Sequence, residues 1–75
     1  MNEHESVVLT RDIPSANLAA GDVGVVAHRY AGKGGYEVEF LRASGETVAV
    51  LTLGAADVRP LSGGEILHVR TIAPV

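Results

Sequence analysis

Tyr36-Glu37-Val38-Glu39-Phe40 carries the strongest structural signal in the chain. Apolar and acidic side chains alternate with a period of two, which turns one face of a strand toward a core and the other toward water. The flanking sequence agrees. Ala31-Gly32-Lys33-Gly34-Gly35 has the glycine content of a hairpin connection on one side, and Ala43-Ser44-Gly45-Glu46 supplies a turn on the other.

Beyond these turns lie two more strands. Val23 to Tyr30 places Val23, Val25 and Ala27 on one side and Val26, His28 and Tyr30 on the other, with Gly24 in the second set. A glycine inside a strand marks a bulge, sharp coiling or the close approach of another backbone. Thr47 to Leu53 sets Val48 and Val50 against Ala49, Leu51 and Leu53, so both of its faces need cover. Val25, Val38, Phe40, Leu51 and Leu53 are the expected core. Val7-Val8-Leu9-Thr10 reads as a first strand and Ile66 to Ile72 as a last one. Ser15 to Ala20 has room for one helical turn, and Gly54 to Asp57 for a short 3₁₀ or helical turn leading to Val58-Arg59-Pro60-Leu61. Apolar spacing of i, i+3, i+4, i+7 persists nowhere. The expectation is an all-β, SH3-like open barrel or roll of about five short strands. Residues 1–6 read as a flexible N-terminal tail, 7–61 as the β domain, and 62–75 as a C-terminal β segment that strand exchange can pass to a second copy.

Composition bounds the chemistry. The 75 residues are 47% hydrophobic and 4% aromatic, with no cysteine, so no disulfide framework or thiolate zinc site exists to staple a small core. Packing, hydrogen bonding or self-association must supply the stability. Six basic against nine acidic side chains give a net charge of −3, a repulsive average field for a phosphate backbone. Apolar runs fall far short of the ~20 residues that span a bilayer, and Met1 to Ser6 is not a basic, signal-like start. A cytoplasmic chain without membrane attachment is expected.

A resemblance joins these segments. Leu18-x-x-Gly21-Asp22-Val23-Gly24-x-Val26, then Gly35-Tyr36-Glu37-Val38-Glu39-Phe40, then Thr47-Val48-Ala49-Val50-Leu51-Thr52-Leu53, then Asp57-Val58-Arg59 resembles a family of small bacterial proteins catalogued as a domain of unknown function. It spans roughly residues 7 to 61. The resemblance implies an SH3-like β-fold and brings no activity or catalytic residue with it. The Gly-Asp-x-Gly turn is also similar to the opening of KOW and related SH3-like modules.

Candidate sites are few. His4, His28 and His68 lie on the N-terminal tail, the second strand and the last strand without a local ligand pair, so surface histidines are the expectation; only His28 with His68 merits a cross-strand check. Glu37 and Glu39 project from one strand face within roughly 7 Å of each other, yet a general acid needs an apolar pocket that a wet face does not offer. Gly32-Lys33-Gly34-Gly35 lacks the spacing of a phosphate loop and enters a strand rather than a helix. The serines sit in tails or turns with no nucleophile elbow. The reading is therefore a non-enzymatic, cofactor-free binding or assembly module, a homodimer or the partner of another protein. Its candidate surface is Val48, Val50, Ile66, Leu67, Val69 and Ile72. The alternative is a KOW-like nucleic-acid accessory domain using a basic and aromatic patch of Arg29, Tyr30, Lys33 and Arg42, which the acidic balance disfavours.

Overall fold

The computed structural model describes residues 1–32 and 34–72. Five strands form one open antiparallel sheet: β1 (Ser6–Leu9), β2 (Val23–Arg29), β3 (Tyr36–Leu41), β4 (Thr47–Leu53) and β5 (Val58–Pro60), in the order β4-β3-β2-β1-β5. Among the described residues no α-helix occurs, and the single 3₁₀ turn is Pro14–Ala16. The all-β expectation holds. The turn sits earlier than read, because Pro14 opens it and Asn17 closes it in a left-handed conformation at φ 59° and ψ 27°.

The alternation in β3 plays out as its sequence dictates. Tyr36, Val38 and Phe40 are buried, and they pair across the ladder with Leu53, Leu51 and Ala49 of β4. The opposite face carries Glu37 opposite Thr52 and Glu39 opposite Val50. Val7, Leu9, Val26 and Val58 close the other side of the same core, capped by Ile13 and Leu18, whose backbones bridge across the loop between β1 and β2.

Three placements differ from the sequence reading. The core face of β2 is Gly24 and Val26, not Val25: Val26 pairs with Val38 in the core, whereas Val25 pairs with Glu39 on the outer face. A register shift between Val26 and His28 then sets His28 opposite Glu37, so Val26 and His28 do not share a face as simple alternation requires. Leu51 is only partly buried, packed against the core rather than within it. Finally, the fifth strand is Val58–Pro60, paired with β1, and the residues from Ile66 to Ile72 form no strand within this chain. Three residues are enough for β5 because Leu9 pairs with Val58 and Leu61 donates its N–H to the Ser6 carbonyl at 3.3 Å, which extends the ladder.

Gly24 has no left-handed φ. It is where backbones and side chains approach most closely: a Cβ there would stand 2.8 Å from Phe40 Cε1, 2.8 Å from Val38 Cγ1 and 3.0 Å from the Glu39 carbonyl oxygen. Close approach is thus the reason for this glycine.

The first five residues run beside β2. His4 donates its N–H to the Val26 carbonyl at 2.7 Å, and Val26 returns an N–H to the Glu5 carbonyl at 2.9 Å.

Candidate functional site

After Leu61 the chain leaves the sheet and returns across one end of it as an irregular strap. The departure is a turn rather than an open hinge. Glu65 accepts two hydrogen bonds from the Arg59 guanidinium at 2.8 and 2.6 Å and a third from the Ser62 N–H at 2.7 Å, closing Ser62-Gly63-Gly64. That bidentate partner holds the exposed Glu65 carboxyl down to about 2.

Beneath the strap lies a groove of about 550 Å³. Leu18, Val23, Phe40 and Val48 contribute its apolar lining, and Leu67 to Ile72 line it from the strap side. The body contributes two charged groups, Asp22 and Arg42, each built in by its own loop.

Asp22 opens β2. Its N–H donates to the Ala19 carbonyl at 3.0 Å, its carbonyl accepts the Leu9 N–H at 2.9 Å, and Gly21 supplies the left-handed φ of 95° that the turn demands. Oδ2 also accepts the Ala19 N–H at 2.8 Å. Onto this fixed carboxylate Arg70 docks side-on: Nε donates to Oδ1 at 2.9 Å, Nη2 donates to Oδ2, and Nη2 also donates to the Asn17 carbonyl at 3.0 Å. The Arg70 hydrogen bond holds the Asp22 carboxyl below the usual carboxylate range, against partial burial, which acts to raise it; the Ala19 N–H adds to the lowering. Arg42 follows β3 in the turn closed by Glu46, whose carboxylate lies 2.8 Å from its Nε, and its Nη1 donates to the Ile72 carbonyl at 3.1 Å.

The strap is held by its polar groups. Ile72 packs partly buried against the core, but Ile66 is 93%, Leu67 64% and Val69 88% exposed. Of the surface residues read from sequence, Val48, Leu67, Val69 and Ile72 line the groove, whereas Val50 stands exposed on the outer face opposite Glu39. Ile66 precedes the groove.

The basic and aromatic residues are not assembled into one patch among the described residues. Arg29 pairs with Tyr36 at one end of β3, and Arg42 follows its other end, about 20 Å away along six residues of strand. The Tyr30 hydroxyl donates to Glu37 at 3.2 Å, a contact that raises the phenol's pKa. Lys33 lies outside the described residues. The histidines diverge as well: His28 Nδ1 lies 3.2 Å from Glu3 and its ring meets Tyr30 edge-on at 4.7 Å, while His68 lines the groove. Among the described residues no cluster of three or more histidine, aspartate or glutamate side chains is arranged to hold a metal ion. Glu37 and Glu39 are occupied by hydroxyl donors, Thr52 at 2.5 Å and Thr47 at 2.6 Å.

Asn17, Asp22 and Arg70 were not singled out by sequence reasoning. An arginine isolated in the apolar run Ile66-Leu67-His68-Val69-Arg70-Thr71-Ile72 was the one available signal.

The sheet and its strapped groove define a small all-β domain with a charged, apolar-floored cleft. The chain belongs to the family described as a domain of unknown function, DUF4926, whose model matches residues 3–60. The match takes in all five strands and the two charged groups that the body contributes to the groove, and ends before the strap. No curated protein and no solved structure matches the chain.

Proposed function

We propose that this protein is a non-enzymatic assembly module, an SH3-like roll that forms a homodimer by exchanging or pairing its C-terminal segment with a second copy. The strand order β4-β3-β2-β1-β5, with its short fifth strand returning to β1, supports the SH3-like reading. One observation carries the dimer: Ile66, Leu67 and Val69 are exposed in succession on a segment of high β-propensity whose backbone is paired with no strand. Water on three large aliphatic side chains is unfavourable by about 25 cal/mol per Å² of apolar surface left uncovered. A second copy covers that surface symmetrically, since a two-fold axis brings the same strip of each chain to the other. β4, at the opposite margin of the sheet, has an unpaired edge that carries Val48 and Val50 and can receive such a strand.

Sedimentation equilibrium tests the reading. The intact chain is expected to be dimeric at micromolar concentration, and Leu67→Lys/Val69→Lys to be monomeric with an unchanged circular-dichroism spectrum. An intact chain at monomer mass up to high micromolar concentration refutes the dimer. Equal association of the intact chain and the double variant keeps the dimer but removes the strap as its cause.

A further inference from the structure

In the strap the Arg70 side chain and the Ile72 carbonyl are partnered, whereas Ile66, Leu67 and Val69 stay exposed. Arg70 makes three hydrogen bonds, two to a carboxylate and one to the Asn17 carbonyl, and the Ile72 carbonyl accepts a fourth from Arg42. Leu67 and Val69, which precede these points along the strap, stay largely exposed. The receiving groups are in place independently of the strap. Asp22 is fixed through its backbone and by the Ala19 N–H, Asn17 by its left-handed cap, and Arg42 by Glu46. A preorganised carboxylate takes the arginine fork bidentately, a geometry that lysine cannot reproduce.

Two residues along an extended chain span about 7 Å, so one segment reaches both charged ends of the groove at once. All the receiving groups lie in the body of the domain and all the received groups in one contiguous segment after the Ser62-Gly63-Gly64 turn. A segment from another copy therefore satisfies the groove as well as the chain's own does. Exchange keeps the contacts of Arg70 with Asp22 and the Asn17 carbonyl and of Arg42 with the Ile72 carbonyl while letting the apolar strips of the two copies meet.

Resting on the self-association reading above, we propose that the groove is the docking address for the C-terminal segment of a second copy: Asp22 and the Asn17 carbonyl select Arg70, and Arg42 fixes the register by holding the Ile72 carbonyl. The arginine gives the interface its specificity, and the aliphatic residues around it supply the buried area. In this arrangement the intramolecular strap is the unassembled form, in which the chain occupies its own address.

Charge reversal in full-length chains separates address from association. D22R and R70D are each expected to weaken self-association at least tenfold, because every groove in either homodimer then meets a like charge. An equimolar mixture of the two is expected to recover a heterodimer, read by native mass spectrometry with one chain isotope-labelled. In that pair each groove receives a tail of opposite charge. Asp22 also accepts the Ala19 N–H, so D22N, which keeps an acceptor there without the charge, is the companion variant; it should lose association about as much as D22R while keeping the parent's circular-dichroism spectrum. Variants that dimerise as the parent does, or a mixture that associates no better than its components, overturn the address and leave the self-association reading standing. A parent chain that is monomeric at all concentrations overturns both.

Discussion

Adding a single methyl group at Gly24 should destabilise the whole domain. A Cβ at this position would stand 2.8 Å from Phe40 Cε1, 2.8 Å from Val38 Cγ1 and 3.0 Å from the Glu39 carbonyl oxygen, three contacts well inside ordinary carbon separations. Phe40 and Val38 are buried and cannot swing away without disturbing the core, and the Glu39 carbonyl belongs to the backbone of β3. Forcing an extra methyl into a packed core costs about 1–3 kcal/mol. Against this, alanine restricts the unfolded chain and recovers about 0.4–1 kcal/mol, since φ at residue 24 is not left-handed. The net expectation for Gly24→Ala is a loss of about 1–2 kcal/mol, or a fall in Tm of roughly 5–15 °C for a domain of this size. Urea and thermal melts at one fixed concentration measure it, because self-association shifts apparent stability. Pairing the change with Phe40→Leu removes the Cε1 contact, so the two substitutions should couple favourably by about 0.5 kcal/mol or more, with the Glu39 carbonyl preventing complete rescue. A Gly24→Ala variant that melts at or above the parent temperature would show that β2 and β3 lie farther apart than described.

Phe40→Ala removes a side chain that is 2% exposed at the centre of the core, and it should cost about 3–5 kcal/mol in a chemical melt; a loss below ~1 kcal/mol would contradict its burial. Acid should release the strap. Both Asp22 and Glu65 have carboxyl pKa values lowered by arginine partners, so the stability they contribute is present above the unfolded pKa and is lost as pH falls through the folded one. The Arg70 Nε–H resonance should therefore stay protected as pH drops past 3.8, and the Arg59–Glu65 clasp should open only near pH about 2; exchange broadening of Arg70 while the pH is still above 3.8 would count against the latch.

The middle of the sheet was legible because β3 is wet on one face only, which leaves a single register for its apolar residues. β2 was ambiguous. Val23-Gly24-Val25-Val26 offers valine to both faces, and the register shift after Val26 breaks the period that a sequence reading has to assume. β5 carries no signal of its own: Val58-Arg59-Pro60 becomes a strand because β1 presents an open ladder, which is a tertiary fact. At Ile66 to Ile72 the converse holds: β-propensity is high, yet these residues form no strand within the single chain. The groove was hidden for a related reason. Asp22 lies 48 residues from Arg70, and neither residue type is informative until the fold brings them together.

The two acidic side chains of β3 also constrain how the sheet can assemble wrongly. A strand with a period of two can slide by two residues and still present every apolar side chain to the correct face, so hydrophobicity alone leaves such a slip nearly unpenalised. Glu37 is held by the Tyr30 hydroxyl from the β2 side and by Thr52 from β4, and Glu39 is held by Thr47. Sliding β3 by two positions moves one carboxylate into the other's place and carries the second away from hydroxyl donors, so one of the two sets of contacts is lost. These half-buried glutamates act as teeth of a ratchet, adding little to the depth of the native state while making the nearest misaligned sheets different from it.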